Sequence, residues 1–244
     1  PFVYLVKEPL ALHLLTIVAL LFGLSRIRRP IFGGSPISQR GRAWLASHFT
    51  EFALLLVLGI YWAALIRSNM NIGVRHLLPA FPFTFVLVAK QIVALMRRIE
   101  LRPVAKWGSR LALGGLLAWQ AASVLRVHPS YLAYFNEVTG GPDGGWRYVN
   151  DSNLDWGQDV KRLAQFVEQR GITGIHTEYF GPADPSYYLK ERYLGSLGCS
   201  EPPKGWVAVS AMVYPGSPWA PQCDYQRWLP MDKLVAKIGY SLFI

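Results

Sequence analysis

The sequence predicts a membrane α-helical bundle of about four transmembrane helices, followed by a small extracytoplasmic α/β domain. Three observations predict this fold class. The chain of 244 residues is 52% hydrophobic and only 16% charged, whereas a soluble domain has about 25% charged residues. Its first half contains four long apolar runs separated by basic segments. After residue 126 the composition becomes that of a soluble domain.

The four apolar runs lie near residues 9–24, 49–66, 79–96 and 111–127. Each is close to the ~20 residues that cross ~30 Å of hydrocarbon as a helix. We therefore assign residues 1–127 to a transmembrane region and residues 128–244 to the extracytoplasmic domain. The chain begins at Pro1 in the middle of a pattern, without Met or a signal peptide, which we interpret as a fragment or a trimmed chain.

The formal charge of +10 is concentrated in two segments. Residues 25–48 contain five arginines and no acid, and residues 97–110 contain five basic side chains and one glutamate. From residue 126 onward there are eleven basic and twelve acidic side chains. Short basic loops stay in the cytoplasm, so we expect both segments to face inward and the C-terminal domain to face outward. The charge therefore indicates membrane topology, and we expect no nucleic-acid partner.

Polar residues near the second and third spans have two interpretations. Lys90 and Gln91 lie about two turns from the cytoplasmic end of the third span. They could form a polar relay inside the bundle, or Lys90 could extend to the inner headgroups, which is the interpretation we favour. Glu51, near the start of the second span, is interpreted as interfacial.

Turn residues and hydrophobic spacing predict the elements of the C-terminal domain. Asp155 and Gln158 resemble a capping box, and Gly171 is placed to end the helix that follows. Asp184-Pro185 is placed to start a short helix. Alternating strands and helices favour an α/β domain. The predicted order is strand Trp146–Asn150, helix from Asp155 to Gly171, strand Ile172–Phe180, helix from Asp184 to Arg192, strand Gly205–Tyr214, helix Met231–Ile238 and strand Tyr240–Ile244.

The two cysteines, Cys199 and Cys223, both belong to this domain. Because the predicted compartment permits disulfides, we expect a Cys199–Cys223 bridge, with two unpaired buried thiols as the alternative. Asp151, Asp155 and Asp159 recur every four residues and are candidates to bind a cation or an acceptor. The alternative, which we favour, is structural, because a capping carboxylate is occupied by backbone N–H groups.

A turn at Asn71–Pro82 places an Arg-His pair at the start of the third span. Arg75 and His76 are costly in hydrocarbon, so this turn is expected at a membrane surface or in a polar cavity. A guanidinium can hold two phosphate oxygens at once. Arg75, His76 and Lys7 are therefore candidate ligands of a phosphate. Anchoring to ordinary lipid phosphates is the alternative for Arg75, and a position at the membrane surface without this role is the interpretation we favour for Lys7.

Three stretches together resemble the C-terminal part of bacterial membrane glycosyltransferases of the GT-C type, in particular glycosyltransferase family 39 and the dolichyl-phosphate-mannose-protein mannosyltransferase-like group. The stretches are Val6–Leu10, Gly73–Pro82, and His128–Asn136 followed by Asp151–Asp159. The resemblance implies a multi-pass protein of the bacterial inner (plasma) membrane. It implies transfer of a sugar from a polyprenyl-phosphate carrier to an acceptor protein, lipid or glycan on the outer face.

The resemblance also implies that the catalytic carboxylate lies in a first outer loop, upstream of these residues. We therefore expect no catalytic residue in this fragment and no activity of the isolated chain. The expected donor is a polyprenyl-phosphate-linked sugar; a divalent metal is compatible with the sequence but not indicated by it. The alternative function is a non-catalytic membrane-anchored module whose outer domain binds an envelope glycan or a protein partner.

Overall fold

The computed structural model describes residues 1–31, 37–68, 73–100, 102–198, 204–216, 223 and 225–244. Within these ranges the chain divides into two compact units, Pro1–Leu125 and Arg126–Ile244. The first unit is helical, and the second combines short helices with one sheet. Each unit is described separately below.

Long apolar helices form the first unit. A short helix and a 3-10 helix accompany them at one end of the unit. Helices α2, α5 and α6 contact one another through Leu15, Ala19 and Ile92, with Val88, Met96, Leu113 and Leu116 packed around them. The helices are α1 (Phe2–Lys7), α2 (Leu10–Ile31), α3 (Ile37–Ser47), α4 (Phe49–Arg67), α5 (Phe81–Ile99) and α6 (Pro103–Leu125), and the 3-10 helix is Val74–Ala80.

In the described part of the chain, two helices are long and apolar enough to cross a membrane. They are Phe49–Arg67 and Val74–Ile99, and only 11% and 22% of their most apolar windows are buried within the chain. The core helix of a soluble protein is mostly buried, so these exposed apolar surfaces indicate membrane association. The apolar part of α2, Leu10–Arg26, is shorter. Helix α6 has 23 residues and covers most of the fourth predicted run, but it is not one of these two helices.

The basic segment 25–48, which the sequence analysis treats as a loop, contains helix instead. Helix α2 continues to Ile31, and α3 occupies Ile37–Ser47. Arginine, glutamine and alanine are all good helix formers. Charge therefore marks the end of the apolar run but does not end the helix.

The second unit contains one five-stranded sheet in the order β2-β1-β3-β5-β4. Strand β1 pairs in parallel with β2 and β3, whereas β5 pairs antiparallel with β3 and β4. The strands are β1 (Ile175–Glu178), β2 (Tyr193–Ser196), β3 (Trp206–Ser210), β4 (Lys237–Ile238) and β5 (Leu242–Phe243). The helices are α7 (Val160–Gln169), α8 (Pro185–Leu189) and α9 (Tyr225–Trp228).

The core of this unit forms where α7 and α8 pack on the sheet. Leu163 and Val167 of α7 contact Ile175 of β1 and Ala208 of β3, with Leu189 and Leu242 in the same cluster. These four-residue steps on α7 place its apolar side chains on one face. The α/β architecture predicted for this region is therefore present as a small sheet with helices packed on it.

Two predicted elements of this unit are wrong. Trp146–Asn150 is not a strand, because Gly145–Arg147 forms a 3-10 turn. The predicted helix Met231–Ile238 is replaced by a 3-10 turn, Met231–Lys233, and strand β4. Here the backbone pairs with the last residue instead, since Val235 N donates to Ile244 O at 2.7 Å and Ile244 N donates to Ala236 O at 2.9 Å.

Candidate functional site

A cavity of about 300 Å³ lies within the helical unit, at the end of α4 that carries Arg67. Three elements line it: helix α1, the last two turns of α4, and the 3-10 helix that begins at Val74. Its lining residues include Phe2, Tyr4, Trp62, Ile66, Gly73 and His76. The cavity is therefore mainly aromatic and aliphatic, with one imidazole.

Local backbone geometry places His76 in this cavity. Gly73 precedes the 3-10 helix with φ 94° and ψ −167°, a left-handed conformation that favours glycine. The backbone carbonyl of His76 accepts a hydrogen bond of 2.6 Å from the Tyr61 hydroxyl. The backbone of His76 is therefore fixed by a turn on one side and by α4 on the other.

The imidazole of His76 has an unused hydrogen-bonding atom. Its Nε2 is buried and has no hydrogen-bond partner among the described residues. Buried polar atoms are nearly always hydrogen-bonded, and an unmet one costs about 1–3 kcal/mol. A ligand oxygen within hydrogen-bond distance would meet this requirement, so Nε2 is a candidate polar contact for a ligand.

Aromatic rings form the rest of the wall. Tyr4 packs edge-on against Trp62, with ring centroids 5.4 Å apart and planes at 86°. The same ring contacts Phe81 at 6.0 Å and His13 at 5.2 Å. Edge-to-face packing of this kind fixes aromatic side chains in place, so the cavity has rigid apolar faces beside the imidazole.

Of the three predicted phosphate ligands, the structure places one in the cavity lining. His76 lines it, whereas Arg75 is exposed and Lys7 is buried at the end of α1, and neither belongs to the lining. Burial lowers the pKa of Lys7 to about 7, partly opposed by the charge of Glu8. Burial likewise raises the pKa of Glu8 to about 7, partly opposed by Lys7. The charge of Lys7 is therefore sensitive to pH near neutrality.

The acidic cluster of the second unit is held by internal hydrogen bonds. Asp155 is fully buried; it accepts hydrogen bonds from the Ser210 hydroxyl and, at 2.8 Å, from Gly157 N. Asp159 is 1% exposed and accepts hydrogen bonds of 2.7 Å from both Arg162 and Ser241. Of these partners, Ser210 ends β3 and Ser241 directly precedes β5, so the carboxylates tie the segment before α7 to the sheet.

Burial dominates the electrostatics of both carboxyls. It raises the pKa of Asp155 to about 6, although the hydrogen bonds from Ser210 and Gly157 lower it. Burial also raises the pKa of Asp159, and the hydrogen bond from Ser241 and the charge of Arg162 only partly offset this. Neither carboxylate is presented to a ligand, and the side chain of Asp151 lies outside the described part of the chain.

The predicted capping box at Asp155 and Gln158 is wrong. Helix α7 starts at Val160, and its N-cap position is Asp159, whose side chain makes no capping hydrogen bond. Gln158 instead accepts from Trp156 N at 2.8 Å and donates to Leu154 O at 3.1 Å. By contrast, the predicted N-cap Asp184 is present, since its carboxylate accepts from Ser186 N at 2.9 Å.

Cys223 is buried and disulfide-bonded, whereas Cys199 lies outside the described residues. The Cys199–Cys223 pairing therefore stays a prediction. Among the residues that the structure describes, no three His, Cys, Asp or Glu side chains gather into a metal site.

The sequence analysis identifies neither Tyr4 nor Trp62 as a cavity residue. The sequence offers little that would indicate a cavity at Tyr4, which is only an aromatic residue three positions before Lys7. The contact between Tyr4 and Trp62 joins residues 58 positions apart in the chain, which no local pattern reveals.

Comparison with known proteins finds no matching family model, no matching curated protein and no matching solved structure. The function is therefore argued from the chain's own residues.

Proposed function

We propose that this chain forms the carrier-binding part of a membrane glycosyltransferase. In this proposal the enzyme transfers a sugar from a polyprenyl-phosphate carrier to an acceptor. The supporting observation is the buried Nε2 of His76, which has no partner among the described residues and belongs to a residue that lines an aromatic cavity at the end of a helix long and apolar enough to cross a membrane. The sequence resemblance to GT-C glycosyltransferases at Gly73–Pro82 supports the same assignment.

The position of the cavity suits a lipid-borne substrate. Trp62 and Ile66 belong to the last two turns of α4, and His76 lies near the start of the apolar helix Val74–Ile99. The ends of crossing helices lie at the membrane surface, where the phosphate of a polyprenyl carrier is also found. Aromatic faces at this depth can pack against a sugar ring while the polyprenyl chain stays in hydrocarbon.

The chemistry of transfer explains the polar groups. As the sugar departs, negative charge develops on the carrier phosphate, and positioned donors stabilise that charge in a low-dielectric site. His76 Nε2 supplies one donor when protonated. Arg75, the adjacent residue, supplies a guanidinium that reaches the phosphate from the exposed side of the turn.

We further propose the full membrane arrangement that the charge pattern favours. Helices α2, α4, α5 and α6 form four crossings, with the basic segments 25–48 and 97–110 in the cytoplasm of a bacterial cell. The cavity at the Arg67 end of α4 then opens at the outer face. The second unit is extracytoplasmic in this arrangement.

The test uses full-length protein in membranes and a polyprenyl monophosphate as the probe. His76→Phe keeps an aromatic ring but removes both ring nitrogens, so we expect carrier binding to weaken about tenfold. Arg75→Gln is expected to slow sugar transfer more than it weakens binding, because its charge acts mainly as the phosphate departs. Native mass spectrometry measures carrier occupancy, and transfer of labelled sugar measures turnover.

Arg97→Gln serves as a matched control, because Arg97 is exposed in the last turn of α5, at the opposite end of that helix from the 3-10 helix that contains His76, and it does not line the cavity. Unchanged carrier occupancy and turnover in both His76→Phe and Arg75→Gln would refute the proposed site.

A second candidate function treats the Arg126–Ile244 unit as a binding module without catalysis. A cavity of about 140 Å³ in that unit is lined by Trp206, Tyr214 and Phe243, and aromatic faces of this kind bind glycans. In that case the isolated envelope glycan would bind equally well to wild type and His76→Phe, and Trp206→Ala would abolish the binding.

A further inference from the structure

A second cavity lies in the helical unit, between α2, α3, α4 and α5. Its volume is about 340 Å³, and it does not share a lining residue with the His76 cavity. Helices α2, α4 and α5 contribute five leucines and one valine to its wall. Those side chains are Leu20, Leu24, Leu55, Leu58, Leu87 and Val88. We call this cavity the leucine groove.

The length of the leucine groove matches half of a bilayer. Its lining runs from Thr16 to Arg26 on α2 and from His48 to Leu58 on α4. Ten residues at 1.5 Å each give about 15 Å along the helix axes. The hydrocarbon core of a bilayer is about 30 Å thick, so the groove has the depth of one leaflet.

Polar groups concentrate at one end of the groove. Arg26, Trp44, His48, Glu51 and Gln91 are found there, whereas the opposite end has only hydroxyls that are already used. The Thr16 hydroxyl donates to Leu12 O at 2.8 Å, and the Thr84 hydroxyl donates to Ala80 O at 2.9 Å. The groove therefore has one polar end and one apolar end, as a lipid molecule has.

The polar end has both groups that can face an anion and groups that accept hydrogen bonds. The guanidinium of Arg26 and the imidazole of His48, which stacks on Trp44 with ring centroids 5.2 Å apart, can face an anion. Glu51 is 8% exposed and Gln91 has a buried Oε1 without a partner among the described residues. A carboxylate has about four acceptor positions, so its contact with Lys90 leaves room for a further donor.

From these contacts we propose that the leucine groove binds one phospholipid with a primary ammonium headgroup, of the phosphatidylethanolamine class. One acyl chain lies along the leucines, the phosphate meets Arg26 and His48, and the ammonium donates to Gln91 Oε1 and Glu51. The site requires the helices to lie in a membrane, but it does not depend on sugar transfer. The arginines of the flanking segment place it in the inner leaflet.

The headgroup is the discriminating feature. A phosphatidylcholine has the same charge but no N–H to donate, and a phosphatidylglycerol has hydroxyl donors but no positive charge. An unmet buried acceptor favours the lipid that can donate to it. The three lipids, with matched acyl chains, therefore distinguish a built site from general hydrophobic contact.

Native mass spectrometry of the full chain with these three lipids tests the proposal. We expect wild type to retain the ethanolamine lipid about fivefold better than the choline lipid. Gln91→Leu should abolish this preference, whereas the matched control Gln120→Leu on α6, outside the lining, should keep it. No preference in wild type, a preference for the glycerol lipid, or an effect of Gln91→Leu no larger than that of Gln120→Leu would overturn the proposal.

A groove-filling variant gives an independent test. A Cβ at Gly23 would lie 3.9 Å from Gln91 Cδ, an ordinary contact, so a larger side chain there would extend into the groove. Gly23→Leu should lower the occupancy of the ethanolamine lipid several-fold, and Gly115→Leu, where nothing lies within 4 Å, should not. Equal occupancy in these two variants would also contradict the proposal. Polyprenyl monophosphate binding at His76 should be unchanged in all four variants, so failure of this site and failure of the proposed function can be told apart.

Discussion

Lys90 Nζ lies 2.5 Å from Glu51 Oε1, an ion pair that joins α5 to α4. The Glu51 side chain is 10% exposed and the Lys90 side chain 51% exposed, so the pair has one buried and one accessible member. The sequence analysis treats both residues as separate interfacial groups. Lys90 is instead the counter-ion of the Glu51 carboxylate, whose burial without a counter-ion would destabilise the fold.

The first prediction concerns this pair. Lys90→Met leaves the Glu51 charge buried without its partner. We expect a loss of about 1–3 kcal/mol in the free energy of unfolding, less than for a fully buried pair because Lys90 is half-exposed. Glu51→Gln added to Lys90→Met should recover part of that loss. Unfolding in detergent of the two single variants and the double variant measures the coupling.

The exposed pair Arg110–Glu100, at 2.6 Å, is a matched control. Its side chains are 43% and 45% exposed, so its coupling should be well under 1 kcal/mol. Equal coupling in the two pairs would show that burial of Glu51 has no energetic effect.

The second prediction concerns pH. The pKa of the Asp155 carboxyl is about 6 in the fold against 3.8 for the ordinary group, because burial disfavours its charged form. As pH rises, the unfolded chain therefore releases the Asp155 proton at a lower pH than the folded chain does. The contribution of Asp155 to the free energy of unfolding is thus fully present below pH 3.8 and is lost as pH rises to about 6. A pKa difference of about two between the folded and unfolded chain corresponds to about 3 kcal/mol in the free energy of unfolding. Hydrogen exchange of β3 amides between pH 4 and pH 6 reports this loss.

Asp155→Asn cannot ionise and retains an acceptor for Gly157 N, so its stability should change less over the same pH range. A decline of equal size in wild type and Asp155→Asn would assign the pH dependence to other groups, such as Asp159 or Glu178, whose pKa values burial also raises.

The third prediction distinguishes the stability cost of a steric contact from the stability cost of backbone strain. Gly239 and Gly171 both have left-handed backbones, at φ 58° and φ 63°. A Cβ at Gly239 would collide with the Asp159 carboxylate, whereas nothing lies within 4 Å at Gly171. We expect Gly171→Ala to cost about 1 kcal/mol and Gly239→Ala at least 1 kcal/mol more. Thermal unfolding of the two variants checks the difference, and equal losses would mean that the Asp159 network can move aside freely.

The fourth prediction tests the membrane crossings. Arg67 ends α4, and Arg98 lies in the last turn of the apolar helix Val74–Ile99. If both helices cross a membrane, these positions lie on opposite sides. With an impermeant maleimide on intact spheroplasts, Arg67→Cys should react and Arg98→Cys should react only after permeabilisation. Parent protein supplies the background, and labelling of both positions from one side would rule out a crossing between them.

Local signals in the sequence were sufficient for several elements. The Asp184-Pro185 pair does start α8, and the buried run around Trp206–Ser210 does form β3. Both depend on neighbouring residues, a cap with a proline or a continuous apolar run. The apolar helices α4 and Val74–Ile99 were visible for the same reason.

The remaining elements and the candidate site depend on contacts between residues that are far apart in the chain. Asp155 resembles a helix cap in sequence, but one of its two hydrogen bonds comes from Ser210, 55 residues away. The residues after Met231 resemble a helix, yet Val235, Ala236 and β4 pair with the last strand. The aromatic cavity around His76 likewise needed the approach of α1 to α4. No local spacing encodes these contacts, since each depends on chain segments brought together by folding.

Strand β5 is the last strand in the chain but lies inside the sheet, between β3 and β4. During synthesis, β3 therefore has an unpaired edge until Leu242 and Phe243 leave the ribosome. Ser241, whose hydroxyl donates a hydrogen bond to the Asp159 carboxylate, is synthesised in the same late segment. The sheet of the second unit is therefore completed only after residue 243 has been synthesised, and until then the unpaired edge of β3 is open to pairing with other strands.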